Sequence, residues 1–147
     1  MAKIRVRPLS VSDRPAWDRL WAGYLAFYES ALDPAVSETT WARLLDPAFT
    51  VFGLVAVDDA GAPIGLTHYV LHPATWAVSP YCYLEDLFVD PQARAGGVGR
   101  ALIEAVYAAA DAACASRVYW LTHETNAAAR VLYDRVAKNS GFIQYRR

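Results

Sequence analysis

Apolar and polar residues alternate from Lys3 to Arg7, with Ile4 and Val6 on one face, which predicts a strand. The period then lengthens. Trp17, Leu20, Trp21, Tyr24 and the pair Phe27–Tyr28 recur at helical spacing, behind a cap at Ser12 or Asp13 and with Pro15 in the first turn. Asp33-Pro34 breaks that helix. A shorter helix is expected from about Ser37 to Leu45, ended by Asp46-Pro47. Thr50–Val57 and Pro63–Leu71 are rich in β-branched and aromatic residues and flank the turn Asp58-Asp-Ala-Gly61, so the sheet begins as an antiparallel hairpin. After a loop from His72-Pro73 to Pro80, Tyr81–Val89 reads as a long strand. A glycine-rich loop, Arg94 to Gly99, then enters a helix ending near Cys114–Ser116. Arg117–Thr122 is a further strand, Asn126 to about Asn139 a helix, and Phe142–Tyr145 a last short strand.

The order is therefore β-α-α-β-β-β-α-β-α-β. The crossover Gly97–Ala115 makes a βαβ unit, which is right-handed in nearly all cases and pairs its two strands in parallel. The expected fold class is α/β: one domain over residues 1–147, with a mixed, twisted sheet and helices on both faces.

Composition narrows the function. The chain has 147 residues, a length that suits one domain. Of its hydrophobic residues 27 are alanine, so the bulky core is smaller than the 55% hydrophobic content suggests. Fourteen basic residues face fifteen acidic ones, which disfavours a generic nucleic-acid binder. No apolar run is long enough to span a membrane and the N-terminus lacks a signal-peptide core, so a cytoplasmic protein is expected. Cys82 and Cys114 lie in no CxxC or Cys/His cluster. They are expected to be two buried thiols, and no metal site is expected.

The loop Arg94-Ala-Gly-Gly-Val-Gly-Arg100 joins a strand to a helix N-terminus, where free N–H groups and the helix dipole favour a phosphate-type anion. No Lys-Ser or Lys-Thr makes it a P-loop, and the third glycine of a dinucleotide fingerprint is missing. It does satisfy Arg-x-x-Gly-x-Gly, through Arg94, Gly97 and Gly99. A plain glycine turn before a helix remains the alternative from the loop alone.

Three segments in order, Tyr83-Leu-Glu-Asp-Leu-Phe-Val89, Arg94-x-x-Gly-x-Gly99 and Asn126…Tyr133…Gly141-Phe142, resemble the GNAT superfamily of acyl-CoA-dependent N-acetyltransferases. Within it, Leu84–Val89 resembles the branch of spermidine/spermine and small histone/polyamine acetyltransferases. The chain departs at Ala95, where the family often has glycine, with Gly96 beside it as a source of flexibility.

The resemblance implies acetyl-CoA as cofactor. Its pyrophosphate would lie on Arg94, Ala95, Gly96, Gly97, Val98, Gly99 and Arg100. Its pantetheine would pair like an added strand with the edge at Leu87, Phe88 and Val89, where the family's sheet splays open. Asn126, as cap of the last helix, and Arg130 would add cofactor contacts. Glu85 would be the base that makes the acceptor a neutral amine, since a free alkylamine holds its proton to a pKa of ~10.4. Strict alternation puts Tyr81, Tyr83, Glu85, Leu87 and Val89 on one face and Cys82, Leu84, Asp86 and Phe88 on the other, leaving Asp86 a structural or hydrogen-bonding residue. Tyr133, seven residues after Asn126 on the same helix face, would protonate the departing thiolate.

The acceptor site would be built from the first two helices, with Tyr24, Phe27, Tyr28, Glu29, Asp33 and Glu38 as candidates. Tyr28-Glu29 resembles the Tyr-Glu pair of the polyamine enzymes, and acids beside aromatics suit a cationic amine. His68 and His72 are expected to be packing or loop residues, and His123 ends a strand beside the cleft. The function implied is acetyl transfer to a primary amine, a small molecule before a protein, by a homodimer. A non-catalytic acyl-CoA sensor and a structural interaction domain are the alternatives.

Overall fold

The computed structural model describes residues 3–147. Five strands form one sheet in the order β1-β2-β3-β4-β5: β1 Arg5–Pro8, β2 Val51–Val57, β3 Pro63–His72, β4 Tyr81–Val89 and β5 Arg117–Tyr119. The first three pairings are antiparallel and β4–β5 is parallel, as the crossover requires. The helices are α1 Arg14–Phe27, α2 Pro34–Leu44, α3 Val98–Ala112 and α4 Ala127–Val136.

Helices cover both faces. α1 and α2 press Trp17, Leu20, Trp21, Trp41 and Leu44 onto Val55, Val57, Leu66 and Phe88. Trp17 has no exposed surface. Burying an indole of ~200 Å² contributes about 5 kcal/mol. α1 approaches β4 so closely that a Cβ on Gly23 would sit 2.7 Å from the tip of the Phe88 ring, so any side chain there would have to displace that ring. The other face is covered by α3, whose Ile103, Val106 and Ala110 meet Leu54, Tyr69, Cys82 and Leu84, while its Val98 and Leu102 meet Ala56. Leu132, Tyr133 and Val136 of α4 extend that layer.

Several local expectations are corrected. Asp13 precedes α1 but does not cap it; its carboxylate takes both Arg7 Nη atoms, at 2.8 and 2.9 Å, and the Ser10 N–H at 2.8 Å. α2 starts at Pro34 because Asp33 caps it, accepting from Ala35 N–H. β5 stops at Tyr119, and no strand forms at 142–145, where Phe142, Ile143 and Tyr145 are exposed. Cys82 is buried, but Cys114 is exposed at the left-handed end of α3, with φ +57°.

The largest correction lies inside β4. Its ladder with β3 pairs His68 with Asp86 and then Tyr69 with Leu84, so Glu85 is an extra residue in a β-bulge. A bulge switches the faces. Cys82 and Leu84 point to α3 before it, and Leu87 does so after it. Phe88 points to α1, with Asp86 on the same side. The two-face assignment drawn from strict alternation is therefore wrong across Glu85.

Candidate active site

β5 pairs with β4 only at Tyr81, Cys82 and Tyr83. From Leu84 to Val89 the β4 edge has no ladder partner on that side among the described residues. Asp90 N–H bonds to the Ile64 carbonyl of β3, so by alternation Phe88 also turns its backbone groups to β3 while those of Leu87 and Val89 face the gap, the Val89 carbonyl being taken by Arg94.

The loop beyond β4 turns sharply. Asp90 caps a short 3-10 turn at Pro91–Ala93, and Gly97 then opens α3 with φ +83°. No side chain caps α3, so its first N–H groups have no partner within the helix. A Cβ on Gly97 would meet nothing within 4 Å, while one on Gly99 would lie 3.3 Å from Leu132 and 3.9 Å from Val89. Gly97 is thus glycine for its backbone angle, and Gly99 for the passage of α3 between α4 and β4. Ala95 itself adopts φ +65°, so the strain falls on the alanine and Gly96 does not take it up.

The cations divide. Arg94 donates from Nε to the Val89 carbonyl at 3.2 Å and lays its guanidinium over the rings of Phe27 and Phe88, on the α1 side. Arg100 pairs with Glu104 on the surface of α3. Arg130 reaches back to the Glu124 carbonyl at 2.7 Å. Asn126 stands at the start of α4, but its side chain makes no capping bond; Nδ2 donates to Thr122 Oγ1 at 3.3 Å. The expected cap is therefore not made.

Where the β4–β5 pairing ends, a small cavity is lined by Tyr24, Tyr28, Leu84, Glu85, Leu87, Trp120, Leu121 and Tyr133. It brings together Glu85 and Tyr133, which lie 48 positions apart in the chain. The Glu85 carboxyl keeps a path to solvent. Its pKa is nevertheless raised, chiefly by loss of solvent and then by the neighbouring Asp86 charge, with His68 opposing. Burial pushes Tyr133 up to about 12, with Tyr28 adding to the shift. Trp120 meets the Tyr133 ring edge-on, with centroids 5.4 Å apart. One group here is thus suited to take a proton and the other holds one firmly.

Of the expected acceptor residues, Tyr24 and Tyr28 reach the cavity. Glu29 does not; it ends α1 as an exposed residue with φ +52°. Asp33 is used as the α2 cap, Glu38 pairs with Arg14, and Phe27 lies under Arg94. His72 bonds to the Pro73 carbonyl and Tyr119, and His123 to Thr125. His68 is fully buried and bonded to both Trp17 and Asp86. The sequence reading missed this pair because alternation turned Asp86 to the wrong face. Counting residues back from the β3–β4 loop, with one bulge allowed, would have set His68 opposite Asp86.

Comparison with known proteins agrees with this architecture. The model of the acetyltransferase (GNAT) family matches residues 15–137. The D-amino-acid N-acetyltransferase HPA3 of Saccharomyces cerevisiae is 39% identical over 146 residues, covering 99% of this chain and 91% of that protein. Among solved structures, ribosomal-protein-alanine N-acetyltransferase from Brucella melitensis superposes with a TM-score of 0.81 at 19% identity, over 97% of both chains. AAC(6')-Iy, bound to the bisubstrate analogue CoA-S-monomethyl-acetylneamine, gives 0.82 at 19% identity, over 99% of this chain and 97% of that one.

Proposed function

The chain belongs to the GNAT acetyltransferase family, and from that premise we propose that it moves acetyl from acetyl-CoA directly to the primary amine of a small acceptor, an amino acid before a polyamine. The observation that carries this reading is the cavity holding Glu85 and Tyr133 where β5 leaves β4.

The residues fit acetyl-CoA. The uncapped N-terminus of α3, with Gly97 at positive φ, suits a pyrophosphate held by the N–H groups of Gly97, Val98, Gly99 and Arg100. The free edge at Leu87–Val89 suits the two amides of a pantetheine arm. When bound, acetyl-CoA supplies the activated acetyl group. Glu85 takes the proton of the acceptor ammonium, directly or through water. With acetyl-CoA bound, attack of the amine on the acetyl carbon would release the thiolate; Tyr133 would give its proton to that sulfur, and the second proton lost by the nitrogen as the amide forms would pass to the Tyr133 phenolate. A thiolate leaving beside the buried Tyr133 ring is less hydrated and so more basic than in water, which lets a phenol of raised pKa donate to it.

The name of the yeast relative supports an amino acid as acceptor. A polyamine is the second acceptor class and a protein amine the third. The reading includes one acetyltransferase domain and a homodimer; the exposed Phe142, Ile143 and Tyr145, a tail with no sheet partner, support the dimer. A monomer in sedimentation at micromolar concentration would refute that part.

The test of function is calorimetric titration with acetyl-CoA, with NADH and ATP as controls. Thiol release is then followed with D- and L-phenylalanine, spermidine and a lysine peptide. Selective acetyl-CoA binding with thiol release on an amino acid supports the reading. A folded protein that ignores acetyl-CoA refutes it.

A further inference from the structure

Behind the cavity a chain of three side chains crosses from α1 to β4. Trp17 Nε1 donates to His68 Nε2 at 3.0 Å. The His68 ring accepts at Nε2, so its hydrogen is on Nδ1, which donates to Asp86 Oδ2 at 2.9 Å. Trp17 and His68 are buried, with 0% and 2% exposure, whereas the Asp86 side chain still shows 13% of its surface. If this space needed only filling, apolar side chains would do so without the cost of burying polar atoms. Here each polar atom leads to the next, and the last is a partly exposed carboxylate next in the chain to Glu85, which lines the cavity.

Trp21 stacks on Tyr24 with centroids 5.3 Å apart and meets the His68 ring at 5.2 Å, so the aromatic run of α1 borders the His68–Asp86 pair. The raised pKa values of Tyr24, Tyr28 and Tyr83, due first to burial and in part to the Asp86 charge, agree with that placement. Tyr24 and Tyr28 lie 5.0 Å apart between ring centroids and continue a stack from Trp21. A carboxylate walled by electron-rich rings is the complement of an ammonium group. Glu85 is set apart from it by the bulge and lines the cavity with Tyr133.

We propose that Asp86 receives the ammonium group of the acceptor, and that His68 and Trp17 are positioning residues that hold Oδ2 from behind and turn Oδ1 toward the Tyr24–Tyr28–Tyr83 wall. Two adjacent carboxylates then divide the work: Asp86 holds the cation and Glu85 takes its proton. This specificity role rests on the acyltransferase reading, but binding of the cation alone does not require the cofactor.

The test uses butylammonium, which carries an ammonium and no other polar group, titrated calorimetrically without acetyl-CoA. Asp86→Asn weakens its binding by about tenfold or more, the usual effect of losing a charged hydrogen-bond partner. Glu85→Gln weakens it less than Asp86→Asn does, and acetyl-CoA affinity is unchanged by Asp86→Asn. Trp17→Phe keeps the fold of α1 and frees His68 Nε2. It raises KM for the amine severalfold with little change in kcat, and the ¹⁵N signals of His68 lose the single-tautomer pattern. His68→Asn, which keeps a donor near the Nδ1 position, retains more affinity than His68→Leu. Unchanged butylammonium binding in folded Asp86→Asn, a larger loss in Glu85→Gln, or no binding by the wild-type protein would each overturn the proposal. Failure of acetyl-CoA to bind would instead overturn the acyltransferase reading and leave the cation titration standing.

Discussion

Ala95 and Gly97 form a matched pair of backbone probes in the loop proposed to hold the cofactor. Both have positive φ, +65° and +83°, but one carries a Cβ and the other does not. An L-residue in this region costs about 1–2 kcal/mol relative to the right-handed conformation. Replacing Ala95 by glycine removes that cost and adds about 0.4–1 kcal/mol of unfolded-state freedom. The net gain is about 0.5–1 kcal/mol, a melting temperature raised by roughly 1–4 °C at this chain length. Gly97→Ala is the reverse experiment. Its new Cβ would meet nothing within 4 Å, so no clash confuses the result, and a loss of similar size is expected. Calorimetric melting without ligand measures both. A melting temperature lowered by Ala95→Gly, or raised by Gly97→Ala, would refute the assignment of strain to these two positions. Acetyl-CoA titration of the same variants adds the functional test: Ala95→Gly binds at least as tightly as wild type if the loop keeps its path.

Three further outcomes are expected. Tyr133→Phe keeps acetyl-CoA affinity and lowers kcat by about 10²-fold, the usual scale of general acid catalysis; unchanged turnover would mean that another acid serves the sulfur. Glu85→Gln lowers kcat/KM and removes its rise with pH. Because the fold raises the Glu85 pKa, the wild-type protein bears a destabilising term that is absent below the unfolded value near 4.5 and grows as pH rises through the folded one, so the variant melts higher at pH 7 although it is less active. Asp13→Asn destabilises by about 1–2 kcal/mol at neutral pH, an amount discounted because Arg7 is partly exposed. Arg7 holds the Asp13 pKa at about 2, so the wild-type advantage is present above about 4 and fades as pH falls toward 2, which urea melts at pH 7 and pH 2 would show.

The hairpin, the long β4, the parallel crossover and the glycine loop were all legible in the chain, because each is written in local pattern: period two, turn residues, period 3.6. The pairing of Glu85 with Tyr133 in one cavity was legible only through resemblance, since nothing local brings the two together. What escaped was one inserted residue. Alternation cannot register a bulge, and from Glu85 onward it turned Asp86 and Phe88 to the wrong side and hid the partner of His68. The expected strand at 142–145 failed for a different reason. Its sequence alternates well enough, but β5 ends at Tyr119 and gives it no neighbour, and strand propensity without a ladder leaves Phe142 and Ile143 in water.

The unpaired stretch of β4 has a consequence for solubility. A row of free peptide groups flanked by Leu84, Leu87 and Phe88 is a template for any passing extended chain, and globular proteins normally hide such edges behind charge, proline or a covering segment. Here the span from Leu87 to Val89 is guarded at one end only, where Arg94 lies over Phe88 and bonds the Val89 carbonyl. A pantetheine arm lying along it would act as a removable gatekeeper, so the same ligand that feeds the reaction also suppresses sheet-edge aggregation. At a hundredfold excess over its dissociation constant it would add about 2.7 kcal/mol to stability as well. Light scattering during storage at 37 °C, with and without CoA, would register both effects, and the protein's shelf life would follow the supply of its own cofactor.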